Sequence, residues 1–406
     1  MSYYLFFSNQ LSFQPDTAHE IHDVLCANAA ANLGYETVLA YPDFQIGKYN
    51  PLAWISPFHP RKPSQEFIEF YDADPQLQVA PLPLPWISDR HKGKLTNSST
   101  IICKYYLPIH LLSRVKVIHT RNWNFAKAAV KNRIPVIYET HYFQKSPFDS
   151  KIVSSPFFQV AITQSELTRT SLVKQGMPPE KAIALHNGFE KSFLERQPEA
   201  AEAWRRQLLK HDRQHLVIYS GALYRFKGVD LLLEVAKMLP EVQFVVTGGK
   251  PEQVSFYQQQ AQQNGLNNID FLGWILPRQR LVSLFKAADV LAHPHLSGKE
   301  ADFTNPVKFF QYIVSGTPIV ATKIKPLLEF NQPHLAMNWC EPDNAGEFAQ
   351  ALKNTLEQFP RKVEGYSENI QFGQQFSWEN RIEKILSYVA PTMRPISIKE
   401  LLKQNH

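Results

Sequence analysis

Four short segments place chemistry-bearing residues just where an apolar run gives way to a loop or a helix. Ser220-Gly221-Ala222-Leu223-Tyr224-Arg225-Phe226-Lys227-Gly228 offers a glycine and two cations, Arg225 and Lys227, before a helical pattern opens. A diphosphate needs positive charge and free backbone N–H groups, and this segment can present both. Phe271-Leu272-Gly273-Trp274-Ile275 sets Gly273, Trp274 and Ile275 after another apolar run, where a planar base could stack. Within Phe303-Thr304-Asn305-Pro306-Val307-Lys308-Phe309-Phe310-Gln311-Tyr312, Thr304 or Asn305 can cap a helix and Pro306 suits its first position. The amide end of such a helix attracts phosphate, and Lys308 and Gln311, three apart, share one of its faces. Glu139-Thr140-His141 follows a fourth run; an imidazole there can bind a sugar hydroxyl or move a proton. Each segment also has a plainer reading: a solvated basic turn, ordinary packing, an ordinary capped helix, a structural histidine.

The elements that must position these residues alternate between β-rich apolar runs and helical patterns, as in parallel α/β sheets. Strands are predicted at Tyr3–Phe7, Glu36–Ala40, Val115–His119, Pro135–Tyr138 and Gln159–Ile162, with a helix from Thr17 to Leu33 that stops at Gly34. Residues 42–95 carry nine prolines that keep interrupting any element, so loops and short strands are expected there. The pattern restarts at Leu216–Ser220. A helix with Val229, Leu232, Leu233, Ala236 and Leu239 on one face follows. Strand Gln243–Thr247 then ends in Gly248-Gly249. Strand Ile269–Leu272, helix Pro277–Ala287, strand Val290–Ala292, helix Pro306–Val314 and strand Pro318–Ala321 come next. A seam between domains is expected near 188–200, where Asn187-Gly188 ends one unit and Glu190–Ala203 is charged and polar, and Trp378–Val389 reads as a final amphipathic helix. In open parallel sheets ligands bind beyond the carboxyl ends of the strands, which is where the four segments fall.

A chain of 406 residues exceeds one ordinary core and suggests two α/β domains. With 44% hydrophobic and 20% charged residues the composition is that of a folded protein. No apolar run is long enough to span a membrane, and the start reads as a strand rather than a signal peptide. Cys26, Cys103 and Cys340 lie far apart and read as reduced, buried thiols of a cytoplasmic protein. The net charge of +6 favours phosphate-bearing ligands or an anionic membrane surface, but no Lys/Arg block of the kind that binds nucleic acid is present. Asp72-Ala73-Asp74 could suggest a metal-bound diphosphate, yet it does not follow an apolar strand and Pro75 comes directly after, so it reads as a turn. His293-Pro294-His295 has no further ligand cluster nearby in sequence and is not read as a metal site.

Taken together, the segments resemble the retaining nucleotide-sugar glycosyltransferases of family 4, or "group 1". The likeness is strongest over 215–330. Tyr219 through Leu232 resembles the G-x-L-x-x-x-K-G-x-x-x-L segment of that family. Ala288-Asp289-Val290-Leu291-Ala292-His293-Pro294 resembles its A-D-V-x-x-x-P strand. Asn305 through Tyr312, with Gly316-Thr317-Pro318-Ile319-Val320-Ala321-Thr322, resembles its S-P-x-K-x-x-E-Y…G-x-P-I-V-A-T segment.

The resemblance implies a GT-B fold: two Rossmann-like domains with parallel sheets facing a central cleft. Residues 1–190 would form the acceptor side, 191–375 the nucleotide-sugar side, and 376–406 a helix crossing back plus a tail. It implies a UDP- or GDP-sugar donor, no cofactor and no metal, and a glycan, glycolipid or small-glycoside acceptor. Lys227, helped by Arg225, would neutralise the departing diphosphate. Gly221, Gly248, Gly273, Trp274, Ile275, Thr304, Asn305, Pro306, Lys308 and Gln311 would hold the donor, with Gln311 at the ribose and His141 near the sugar. The chain departs from the family in three places. Ala222 stands where arginine is common, Gln311 where glutamate is usual, and Phe303 at a second glutamate position, with Glu300 and Asp302 nearby. The glycine-rich loop after the first strand is replaced by Ser8-Asn9-Gln10-Leu11-Ser12. A binding protein without turnover is the competing expectation.

Overall fold

The computed structural model describes residues 2–11, 18–45, 52–86, 93, 95–302 and 304–398. The chain divides into two compact units, 1–186 with 378–406, and 187–377.

The first unit is built on a seven-stranded parallel sheet. Its strands are β1 (Tyr3–Phe7), β2 (Thr37–Asp43), β3 (Gln78–Pro83), β4 (Val115–Thr120), β5 (Val136–Glu139), β6 (Phe158–Thr163) and β7 (Ala182–Ala184). The spatial order is β3-β2-β1-β4-β5-β6-β7. The strands are continuous apolar runs because helices cover both faces of such a sheet. β3 lies within the stretch expected to be mostly loop. Pro81 and Pro83 are tolerated because β3 is an edge strand, paired on one side by β2. Ser64 caps the short helix Gln65–Tyr71 in the same stretch by accepting from the Phe67 amide. Asp72 closes that helix at φ 54°, and Asp74 Oδ1 accepts from the Gln76 amide at 2.7 Å, so this pair of carboxylates forms a turn.

The helix Ala18–Asn32 packs against a helix from the far end of the chain, Trp378–Ser387. Thr17, the expected start of the first of these, lies outside the described residues. Trp378, Ile382 and Ile385 bury the apolar face of the returning helix, and Asn32 Nδ2 donates to Glu379 Oε1 at 2.8 Å. The chain end is thereby part of the first unit.

The second unit has a six-stranded parallel sheet. Its strands are β8 (His215–Ser220), β9 (Val242–Thr247), β10 (Ile269–Gly273), β11 (Val290–His293), β12 (Ile319–Thr322) and β13 (Met337–Cys340), in the order β10-β9-β8-β11-β12-β13. In each sheet the order reverses after the first strand of the unit, giving a switch point at β1/β4 and another at β8/β11. Doubly wound sheets bind ligands at such points. Part of the expected polar seam is a helix, Pro198–Leu208, whose Ala201, Trp204 and Leu208 are buried. Asp289 ties that helix to the sheet: its Oδ2 accepts from Arg205 Nη1 and from the Leu216 amide, both at 2.7 Å. The conspicuous aspartate of the A-D-V segment is therefore structural here.

All three cysteines are free; Cys26 and Cys340 are buried, whereas Cys103 is half-buried. No described helix is long and apolar enough to cross a membrane.

Candidate active site

The β8/β11 switch point carries the clearest chemistry of the second unit. The strand ends at Ser220, and Arg225–Lys227 makes one helical turn before Gly228 turns left-handed at φ 77°. A Cβ on Gly228 would sit 1.8 Å from the Pro294 carbonyl oxygen, so only glycine lets this turn lie against the segment leaving β11. The approach is fixed further by the Leu296 amide, which donates to the Phe226 carbonyl at 2.9 Å. It brings Lys227 Nζ to 2.8 Å from His295 Nε2 and over the Phe226 ring, 4.8 Å from its centroid. Among the described residues Lys227 has no carboxylate partner. Burial lowers its ammonium from the ordinary 10.5 to about 7. A half-buried cation without an anion carries part of the cost of burying a charge, and an anionic ligand would remove it.

The other expected donor contacts fall into groups. Arg225 is exposed and its charge is felt at the Tyr257 phenol. The Ala222 carbonyl accepts from the Tyr219 hydroxyl at 2.8 Å. Gly221, Gly248 and Gly273 lie at the carboxyl ends of the adjacent strands β8, β9 and β10. Gly248, at φ 102°, donates to the Gly273 carbonyl, and its own Cβ would strike the Gly221 carbonyl oxygen at 2.2 Å. The smallness of these glycines is thus used within the protein. Trp274 is 44% exposed, whereas Ile275 is buried.

The helix expected to open at Pro306 begins at Val307, with Pro306 at its cap position and no side-chain cap. Asn305 does not cap it because its Oδ1 accepts from the Asn187 amide at 2.9 Å. Thr304 is half-buried, and its amide donates to the Ala301 carbonyl at 3.2 Å.

Lys308 and Gln311 do share a face, and it looks onto Glu190. Gln311 Nε2 donates to Glu190 Oε2 at 2.6 Å, and Arg278 donates to Glu190 Oε1 from Nε at 2.8 Å and Nη2 at 2.6 Å. Burial would raise the Glu190 carboxyl, but Arg278 and Lys308 overcome it and hold the pKa below the ordinary value. Lys308 falls to about 7, through burial and then Arg278. Gln311 is fully buried, yet its Oε1 has no hydrogen-bond partner. Such an atom is an acceptor awaiting a donor. Glu300 is exposed. Phe303 and the side chain of Asp302 lie outside the described residues.

The first unit holds a second cluster, of which sequence reasoning found one member. His141 Nε2 lies 2.8 Å from Glu139 Oε1. That carboxylate, fully buried at the end of β5, is also met by His22 Nε2 at 2.9 Å, His119 Nε2 at 3.1 Å and Arg381 Nη2 at 2.7 Å. Burial alone would raise Glu139. The Arg381 guanidinium and the His22 imidazole overcome it and hold the carboxyl well below its usual range. His22 goes the opposite way: burial opposes its charge, but Cys26 and Glu139 hold it well above the ordinary histidine value. His141 is lowered well below its usual value by burial and then by Arg121, so it is neutral. A carboxylate only accepts, so Nε2 of His141 carries the proton and Nδ1 is the acceptor. His119 is fixed in the same tautomer, its Nδ1 accepting from the Tyr4 hydroxyl at 2.7 Å.

His22, Glu139 and His141 also set ligand atoms within 4.8 Å of one another, close enough for a metal ion. The Arg381 guanidinium on the same Glu139 oxygen would face any such ion with like charge. At the β1/β4 switch point Ser8 Oγ donates to Asp23 Oδ2 at 2.7 Å, where a glycine-rich loop was looked for; Ser12 lies outside the described residues. Glu139 stood in the sequence two residues before His141, the spacing that puts two side chains on one face of an extended strand. His22, His119 and Arg381 gave no such signal, being brought in from other elements.

Residues 200–371 match the model of the family "Glycosyl transferases group 1". The second unit thus resembles a group 1 glycosyl transferase domain, and the two parallel α/β sheets have the GT-B fold. The match spans β8 through β13, including Lys227 and Gln311. A D-inositol 3-phosphate glycosyltransferase of Corynebacterium aurimucosum is 23% identical over 290 residues, 69% of this chain and 67% of that protein. A processive diacylglycerol alpha-glucosyltransferase of Acholeplasma laidlawii is 23% identical over 273 residues, covering 63% and 77%. Among solved structures, Anabaena HepE in complex with UDP superposes with a TM-score of 0.66 at 17% identity, over 95% of this chain and 100% of that one. At such identities the structural likeness establishes the fold of the group 1 domain and its companion, and no more.

Proposed function

We propose that this protein is a retaining glycosyltransferase of the family 4 type that moves a sugar from a UDP- or GDP-sugar to an acceptor hydroxyl. The observation that carries the reading is Lys227: a half-buried ammonium with no carboxylate partner among the described residues, at the β8/β11 switch point. The bond from the anomeric carbon to the diphosphate oxygen breaks as the acceptor oxygen bonds to that carbon, and the acceptor's proton passes to the departing diphosphate on the same face. Negative charge grows on the leaving group, so an ammonium there stabilises the transition state more than the ground state.

Trp274 stacks on the base and the unpartnered Gln311 Oε1 accepts from a ribose hydroxyl. His141, held by Glu139 with its acceptor nitrogen fixed, binds a hydroxyl of the transferred sugar. The complexes of Anabaena HepE with UDP and UDP-glucose support a uridine donor. The acceptors named for the curated relatives, an inositol phosphate and a diacylglycerol, support a small phosphorylated or lipid-linked acceptor. Contact with an anionic membrane surface rests on the net charge of +6, and co-sedimentation with anionic liposomes at low salt tests it.

The deciding assay offers UDP-glucose and GDP-mannose to the purified protein with an acceptor panel, in the presence of EDTA. Transfer that survives the chelator and is lost in Lys227→Ala supports the reading. Tight nucleotide binding without turnover would favour a binding protein.

A further inference from the structure

His293 closes β11 and His295 follows two residues on. Their rings are stacked 3.8 Å apart at 6° and both side chains are buried. His295 Nε2 meets Lys227, whereas His295 Nδ1 and both nitrogens of His293 have no hydrogen-bond partner. Leaving a buried polar atom unmade costs roughly 1–3 kcal/mol each. Three such atoms beside one ammonium, at the switch point of an open sheet, are not what packing alone would select. The surroundings are otherwise neutral. The 225–227 turn brings Lys227 and the Phe226 ring, 6.1 Å from His295. The Val307–Ser315 helix brings Phe309, 5.4 Å from His293. From β12 comes the Thr322 hydroxyl, which donates to the His295 carbonyl at 2.7 Å. Among the described residues, the charge that faces the pair is that of Lys227. Burial and then this cation push His293 down to about 3, and burial, His293 and Lys227 hold His295 well below the ordinary value. Both imidazoles are neutral before a ligand arrives.

A nucleoside diphosphate sugar brings two negative charges. No second buried cation stands beside Lys227 among the described residues: position 222 is alanine, and Arg225 is exposed. We propose that the stacked His293–His295 pair is the missing half of the diphosphate subsite, taking up one proton when the donor binds and hydrogen-bonding its phosphate oxygens. One proton serves the pair, because two charged rings in a stack would repel and such sites titrate as a unit. The consequence is a donor affinity that weakens with rising pH by one proton more than Lys227, itself lowered to about 7, takes up, unlike a site built on arginine, which stays charged throughout. This deepens the proposed function and rests on the donor binding at Lys227.

UDP-glucose is the probe, since its diphosphate does not titrate near neutrality. Calorimetry in two buffers of unlike ionisation enthalpy counts the protons taken up, and spectra of protein carrying 15N-labelled histidine show which rings gain them. The expected result is signals of both His293 and His295 moving toward the protonated form on titration. Affinity should fall by about tenfold per pH unit above neutrality for each proton linked to binding. His293→Leu separates a ligand role from a structural one. Apolar replacement of an unpartnered buried ring should leave the fold intact or steadier. If the ring meets phosphate, the variant should bind UDP-glucose at least tenfold more weakly and take up fewer protons. His295→Gln, which keeps a partner for Lys227, should likewise flatten the pH dependence.

Tight binding with both histidines still neutral, or with His293→Leu binding as wild type, overturns the inference and leaves the proposed function standing. No binding of UDP-glucose or GDP-mannose by the wild-type protein overturns both.

Discussion

Replacing Lys227 by methionine should make the unliganded protein more stable and nearly deaf to nucleotide. Methionine keeps most of the apolar stem and removes the charge together with the hydrogen bond to His295 Nε2. The ammonium falls from 10.5 to about 7 on burial. At about 1.36 kcal/mol per unit that is an upper limit near 5 kcal/mol, and the partial exposure of the side chain reduces it to roughly 1–3 kcal/mol. The sign follows from proton counting. The unfolded chain binds this proton more tightly, so the cost is fully present below pH 7 and fades as the pH climbs toward 10.5. At pH 7 the variant should melt higher by about 2–4 °C per kcal/mol recovered.

Nucleotide should act in the opposite sense. Wild type at a hundred times its Kd gains about 2.7 kcal/mol of stability. A charge-assisted hydrogen bond is worth roughly 1.5–3 kcal/mol, so its loss weakens binding by about ten- to a hundredfold. At the same nucleotide concentration most of the shift then disappears. Thermal melts of both proteins, with and without UDP-sugar, read both effects at once. A variant that melts lower and keeps its nucleotide shift would show that Lys227 only holds the loop against His295, and the reasoning from a partnerless ammonium would be refuted.

Glu139→Gln should destabilise the first unit by roughly 3–5 kcal/mol, because Arg381 and His22 are left buried without their anion. Urea denaturation checks this. Because Glu139 is held below the usual carboxylate range, the difference should persist above that range and shrink as the pH falls through the depressed value. Gly228→Ala should cost at least about 1–2 kcal/mol from its left-handed φ alone and more from the Pro294 carbonyl, with donor affinity falling as the two loops separate. Gln311→Leu should remove any preference for UDP over its 2′,3′-dideoxy analogue, read as a ratio of Kd values. An unchanged ratio would mean that Gln311 Oε1 faces something other than ribose.

The second unit was legible because its strands are continuous apolar runs and its loops carry marked residues in the right places. Gly228 before a helical pattern and Lys227 just ahead of it are local signals, and the structure puts them where the spacing suggested. The edge strand β3 was obscured because Pro81 and Pro83 spoil the pattern, and an edge position is what excuses them. The helix Pro198–Leu208 was hidden by a polar exterior that masks the buried Ala201, Trp204 and Leu208.

Roles set by distant partners were the least readable. Asn305 looked like a cap but is claimed by Asn187, and the Glu190 carboxylate that receives the Gln311 side chain comes from far outside that segment. The cluster around Glu139 joins His22, His119 and Arg381 from three distant places to the local Glu139–His141 pair, and no local spacing announces those three. His293 and His295 were visible as a pair in the sequence, but their stacking on each other and the bond of His295 to Lys227 were not.

The most direct measurement is a crystal structure of the protein with a bound UDP-sugar. The diphosphate should lie within hydrogen-bond distance of Lys227 Nζ, beyond the carboxyl ends of β8 and β11. A diphosphate bound elsewhere, with the ammonium still directed only at His295, would contradict the assignment of this switch point as the donor site.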